Sequence, residues 1–245
     1  MTKNKLILGI DEAGKGPVLG PLLICGYMIK EENLSQLVEL GAKDSKLLSP
    51  GQRQRMEKKL KELSHDFILL SIPASEIDRL RSIKNLNRIE IEHIQKIINL
   101  LEPDKAIIDA IEANTKKFAE KIKQGITCRS EIIAENFADK RYPVVGAASI
   151  LAKVQRDREI RKISDKIGEE IGSGYPSDER TIKFLKNWMN NKGNNLEFVR
   201  HSWLTFELIK KENEQKKLEI FFKDRTTSAG KKKSKSKVKK THKTH

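Results

Sequence analysis

Asp11 and Glu12 stand side by side at the end of an apolar run, LILGI, and are followed at once by Gly14-Lys15-Gly16. Two adjacent carboxylates repel each other unless something positive or water lies between them, so the pair asks for a cation, a basic ligand or solvent. Farther along, KAIIDAI brings Asp109 to the end of a second short apolar run, and SEIIAENF leads on to Asp139. Strand ends of an α/β sheet converge where ligands bind, so acids distant in sequence can meet there. Hard oxygen ligands suit Mg²⁺ or Mn²⁺ better than zinc, and a pair of such ions roughly 4 Å apart is suited to phosphodiester hydrolysis. Acids after strands also serve as turn formers and helix caps, and spacing alone leaves both readings open. The five histidines, His65, His93, His201, His242 and His245, are scattered and suggest neither a base nor a ligand pair.

Strands must deliver these acids. KLILGI reads as a buried strand breaking at Asp11; GPLLICGYMI, DFILLSIP, KAIIDAI and SEIIAENF read as four more. Between the second and third, Ser49-Pro50 opens a helix with proline at a plausible first position. Leu86, Ile89, Ile94, Ile97, Ile98 and Leu101 recur at helical spacing up to Pro103. KKFAEKIKQ gives a further helix, and a long one starts after Pro143 and stops near Gly172-Ser173-Gly174. ERTIKFLKNWMNN and SWLTFELIKKENEQKKLEIFF complete a helical C-terminal part, so strands dominate early and helices late.

The chain has 245 residues, 37% of them hydrophobic, enough for one large domain or a domain with an appendage. Its formal net charge is +15; residues 230 to 245 hold eight lysines and no acid, and subtracting those eight still leaves +7 on the body. That excess favours a polyanionic partner such as nucleic acid. The two cysteines, Cys25 and Cys128, lack a CxxC or histidine neighbour, which argues against a disulfide scaffold or zinc site and for small buried residues. No window of about 18 apolar residues occurs, and the N-terminus lacks a signal-peptide cleavage region, so a soluble cytoplasmic protein without membrane association is expected.

Five motifs in order, GIDEAGKGPVLGPL, KDSKLLS, IIDAI, ADKRYPVVGAASILAKVQRD and GSGYPSD, closely resemble the type 2 ribonuclease H family, ribonuclease HII, in its archaeal and eukaryotic-like form, over about residues 6 to 205. The resemblance implies an RNase H-like α/β fold, a mixed central sheet flanked by helices with a helical C-terminal extension. It implies cleavage of RNA in RNA–DNA hybrids and at ribonucleotides embedded in duplex DNA, with two Mg²⁺ or Mn²⁺ ions held by Asp11, Glu12, Asp109 and Asp139. Gly14, Lys15, Gly16, Lys46, Ser149, Lys153 and Tyr175 fall on substrate-contact positions, Tyr175 where a tyrosine stacks near the sugar at the RNA-to-DNA junction. Asp157, between Arg156 and Arg158, is read as an ion-pair partner ordering a basic face. The family's motif is most often Gly-Arg-Gly, whereas this chain has Gly14-Lys15-Gly16. The related type 3 enzymes carry Gly-Lys-Gly and are poor at isolated ribonucleotides, so a type 3-like activity is one alternative. A catalytically silent hybrid-binding protein is another, and a DNA endonuclease or transposase-like enzyme of the same fold ranks third.

Residues 1–205 are expected to form the catalytic domain, 206–229 a C-terminal helix, and 230–245 a disordered basic tail adding salt-sensitive affinity for nucleic acid. QKKLEIFF matches a sliding-clamp-binding pattern, with Gln215, Leu218, Phe221 and Phe222 as anchors for a PCNA-type partner. The competing reading is a last amphipathic turn packed on the domain. Clamp binding would place the enzyme at the nucleoid during replication.

Overall fold

The computed structural model describes residues 4–42, 48–191, 196–216 and 218–219. Its five strands form one mixed sheet in the order β3-β2-β1-β4-β5. β1 (Leu6–Ala13), β2 (Leu22–Lys30) and β3 (Asp66–Ile72) run antiparallel in succession; β4 (Lys105–Asp109) and β5 (Glu131–Glu135) lie parallel beside β1.

Side chains alternate across a strand, so β1 divides its residues between two cores. Ile7 and Ala13 pack with Cys25 and Tyr27 against helices α1 (Leu34–Glu39), α2 (Pro50–Leu63) and α7 (Pro143–Ile167). Leu8 and Ile10 pack with Leu22 and Ile24 against α3 (Ala74–Arg81), α4 (Leu86–Leu101) and α5 (Thr115–Lys123). The first half of α7, PVVGAASILA, is small and apolar, which lets it lie close on the sheet. At Gly9 a Cβ would come within 2.3 Å of the Val144 backbone, so only glycine fits that crossing. A third core joins Val18, Leu19 and Ile160 to α8 (Glu179–Asn191) and to Val199, Phe206 and Ile209 of the C-terminal part, whose helix spans 204–216.

The helix starts follow their sequence signals. Ser49 closes a capping box with Gln52, Asn85 accepts from the Arg88 N–H, and Pro143 stands at the first turn of α7. Other boundaries differ. β1 does not break at Asp11: Asp11 and Glu12 pair with Cys25 and Ile24, and the strand runs on to Ala13. α7 stops at Ile167, capped by Gly168 at φ 73, short of the expected Gly172–Gly174. α1, α3 and the single turn α6 (Ala138–Arg141) carry too few apolar repeats to stand out in the sequence. Cys25 is buried as expected, whereas Cys128 is half-buried; both are free thiols.

Candidate active site

Because Asp11 and Glu12 are consecutive residues inside a strand, they face opposite ways. Asp11 points to the α7 side, where Lys153 Nζ lies 4.0 Å from its Oδ2 and Ser149 is hydrogen-bonded to it. Glu12 points to the α4 side and faces the charge of Glu90. Asp109, the last residue of β4, accepts at Oδ1 from the Ala138 N–H at 2.9 Å. One carboxylate oxygen each from Asp11, Asp109 and Asp139 lies within 4.8 Å of the other two.

Asp139 does not sit at a strand end. β5 stops at Glu135, and Phe137 turns the chain in the left-handed region, φ 61 and ψ 34, into the one-turn helix α6. That turn is uncommon for a bulky residue, and it directs Asp139 inward to 1% exposure while Phe137 stays out in solvent.

Three acids this close fit a divalent cation by donor type, spacing and electrostatics. Burial first, then the charge of Glu12, pushes Asp11 up to about 7 against the pull of Lys153. Burial first, then the charge of Glu90, pushes Glu12 up to about 7 as well. Both carboxyls thus lack an adequate counter-charge from the protein alone.

A cavity of about 450 Å³ opens over these groups. Asp11, Glu12, Asp109, Gly14, Lys15, Gly16, Lys153 and Tyr175, all expected at the site, line it together with Arg53, Arg156 and Asp157. Asp139 belongs to the acid cluster rather than to the cavity wall, and Ser149 lies fully buried beneath, hydrogen-bonded to Lys153 Nζ. Lys46 falls outside the described residues, as do Phe221 and Phe222. Gln215 Nε2 lies 3.4 Å from Glu219 Oε1 on the C-terminal helix, and Leu218 is exposed. Asp157 is an ion-pair partner, yet of Arg53 at 3.2 Å rather than of its neighbours; Arg158 pairs with Glu57.

The loop residue Lys15 is not directed freely into the cavity. Its Nζ donates to Glu90 Oε2 at 2.7 Å and to Asn87 Oδ1 at 3.1 Å, both on α4. Glu90 is 1% exposed and its pKa is raised, chiefly by burial, with Lys15 opposing. At Gly14, φ 91, a Cβ would come within 2.8 Å of the Arg156 side chain, whose guanidinium lies 4.8 Å from the Tyr175 ring centroid and donates to Ser173 O at 2.8 Å. Sequence reasoning missed Arg53, Glu90 and Arg156 because a charged residue on an amphipathic helix carries no local mark of burial.

The sequence matches the ribonuclease HII family over residues 8–206. A ribonuclease HII from Methanothrix thermoacetophila is 42% identical over 205 residues, covering 84% of this chain and 97% of that protein. The crystal structure of ribonuclease H2 from Pyrococcus horikoshii superposes with a TM-score of 0.80 at 41% identity, covering 84% of this chain and 98% of that one. A chain from the PCNA:RNase HII complex of Archaeoglobus fulgidus gives 0.75 at 35% identity, covering 81% and 95%. With the acids gathered at one end of a mixed sheet of RNase H-like fold, and with similarity of this extent, the chain belongs to the ribonuclease HII family.

Proposed function

We propose that this enzyme, a ribonuclease acting on RNA–DNA hybrids and on ribonucleotides embedded in duplex DNA, works by two-metal-ion hydrolysis with Asp11, Glu12, Asp109 and Asp139 as ligands of Mg²⁺ or Mn²⁺. The observation that carries this reading is the meeting of Asp11, Asp109 and Asp139 within 4.8 Å, with Asp11 and Asp109 opening into a cavity that Lys15, Arg53, Lys153 and Arg156 also line. When bound, such ions supply Lewis-acid activation of water and stabilisation of the leaving oxygen. The chain's own groups do the rest. Lys153, anchored on Ser149, brings positive charge to the phosphate side of the acids. The loop Gly14–Gly16 offers backbone at close approach to a sugar, and Tyr175, its ring over the Arg156 guanidinium, provides a face for the junction nucleotide. Incubating a duplex that holds one ribonucleotide with enzyme and Mg²⁺ or Mn²⁺ tests this. A single cut beside the ribonucleotide, leaving a 5′-phosphate, is expected; intact duplex with both ions overturns the reading.

The enzyme's place would be ribonucleotide removal and primer processing at replicating DNA in the cytoplasm. No helix among the described residues is long and apolar enough to cross a membrane. A sliding clamp is the proposed partner of Gln215, Leu218, Phe221 and Phe222. Support comes from the exposure of Leu218, C-terminal to the packed residues Phe206 and Ile209, and from a 35% identical relative solved with PCNA. In this reading 1–205 is the catalytic part, 206–229 the clamp-binding arm rooted in it by Phe206 and Ile209, and 230–245 a basic tail. A peptide of residues 212 to 225 is expected to bind a PCNA-type clamp by itself; failure of the full-length enzyme to bind overturns the assignment.

A further inference from the structure

Among the described residues Arg200 is the largest fully buried side chain, and its three guanidinium nitrogens all donate to backbone carbonyls. Its Nε donates to Gly20 O at 3.0 Å, one terminal nitrogen to Lys15 O at 2.9 Å and the other to Gly14 O at 2.6 Å. Three residues on, Trp203 Nε1 donates to Gly16 O at 3.1 Å, and its ring has two guanidiniums over it, that of Arg200 at 4.7 Å and that of Arg81 at 4.7 Å. Consecutive carbonyls of Gly14, Lys15 and Gly16 are therefore all held by one short segment more than 180 residues away in sequence.

That segment is itself fixed. Arg200 N–H donates to Val18 O, and Leu19 and Val199 form a β-bridge. Asp78 of α3 accepts from the N–H groups of His201 and Ser202 and from the Ser202 hydroxyl, while Arg81 donates to Ser202 O. A fork of three donors on three carbonyls sets the orientation of whole peptide planes, which a single point-charge donor cannot do. In a trans peptide the N–H points opposite to the C=O, so holding the Gly14 and Lys15 carbonyls directs the Lys15 and Gly16 N–H groups to the opposite face of the loop. The guanidinium also polarises those peptides, which strengthens the same N–H groups as donors.

We propose that Arg200 and Trp203 are positioning residues for ribonucleotide recognition. They lock the Gly14–Gly16 loop so that its N–H groups are aimed in advance at the sugar and phosphate of the ribonucleotide. The proposal rests on the reading of that loop as a substrate contact. It assigns the C-terminal segment a part in specificity that no carboxylate or lysine of the cavity can fill, because only backbone orientation distinguishes a preorganised loop from a flexible one.

Three full-length variants test it with Mg²⁺: Trp203→Phe, which removes one donor and keeps the stacked ring; Arg200→Lys, which keeps the charge and loses the fork; and Arg200→Gln. Loss of kcat at a single embedded ribonucleotide is expected to rise in that order, from about fivefold to about a hundredfold, with a smaller loss on a long hybrid. Amide hydrogen exchange across residues 13–17, read without nucleic acid, is expected to quicken in the same order. Folded Trp203→Phe and Arg200→Lys enzymes with wild-type kcat on both substrates overturn the proposal, whether or not Arg200→Gln folds. So does faster exchange with unchanged cleavage, since it leaves the lock without a role. Should the wild type fail to cut at a single ribonucleotide, the reading of the loop falls instead, and unchanged exchange in Arg200→Lys then independently refutes the lock.

Discussion

Three acids, Asp11, Asp109 and Asp139, converge at the end of the sheet, while two buried arginines, Arg156 and Arg200, converge behind the glycine loop a short distance away. Both are clusters of like charge taken out of water, yet the protein treats them differently. Arg200 has a carbonyl for each of its three nitrogens, and Arg156 has Ser173 O and the Tyr175 ring. Burial lowers both arginines, Arg200 to about 9. The acids are compensated less fully: Asp11 accepts from the Glu12 N–H and Asp109 from the Ala138 N–H, yet Asp11 and Glu12 are raised to about 7 despite Lys153 and Lys15. The Arg200 guanidinium is satisfied at every nitrogen as folded, and that of Arg156 lacks a hydrogen bond at its buried Nε, whereas the acid cluster keeps an excess of negative charge that cations from outside would meet. One is structure that serves a site; the other is a site maintained at a cost to structure.

The sharpest way to break this comparison is Asp109→Asn. Removing one carboxylate charge is expected to lower hydrolysis on the order of a thousandfold while nucleic-acid binding largely persists, because the cationic rim is untouched. Without divalent ions the same variant is expected to melt no lower than wild type, since it relieves repulsion among acids. Normal turnover sinks the metal-ligand assignment, and a clear loss of stability without metal shows that the acids are structural partners.

pH sharpens the contrast with a smaller effect. An acid whose folded pKa is raised binds more protons in the native state than in the unfolded one between its two pKa values. Stability from Asp11 and Glu12 therefore falls as pH rises from about 4 to about 7 and is level above that. In EDTA, wild type is expected to gain several degrees of Tm on going from pH 7.5 to 5.5 relative to Asp11→Asn, which lacks one of the two groups. Adding Mg²⁺ should raise Tm more at the higher pH, where the acids are ionised. A wild-type slope equal to that of Asp11→Asn discards the raised carboxyl.

How much of this could be read from the sequence depends on how local each signal is. The four acids, the glycine loop and Tyr175 lie in motifs whose context is contiguous, and α4 announces itself by an apolar repeat closed by Asn85 and Pro103. Strand membership of Asp11 and Glu12 was hidden, because a charged pair after an apolar run looks like a strand end; the β2 partners Cys25 and Ile24 that extend the ladder lie elsewhere in the chain. Asp139 was legible as an acid and not as a helical residue, since its placement rests on a left-handed turn at Phe137, a residue type that gives no warning of one. Arg200 was invisible for the strongest physical reason: its partners are backbone carbonyls, which have no letter in a sequence.

The smallest expected effect concerns Lys15, a residue that touches both neighbourhoods. Its carbonyl is held by Arg200, and its ammonium is drawn to Glu90, a carboxylate buried beside the acid cluster. The side chain thus works toward α4 while the backbone works toward the loop, and the two roles separate. Lys15→Arg keeps the carbonyl untouched, and a guanidinium can meet Glu90 with two parallel donors where the ammonium offers one. Cleavage at a single ribonucleotide is therefore expected to stay within about threefold of wild type, since what changes is a half-buried ion pair and not the orientation of the peptide planes. Steady-state rates on the single-ribonucleotide duplex and on a long hybrid decide it. An inactive Lys15→Arg enzyme, folded by its melting curve, shows that the ammonium itself takes part in the reaction and that Gly-Lys-Gly marks a site built differently from Gly-Arg-Gly.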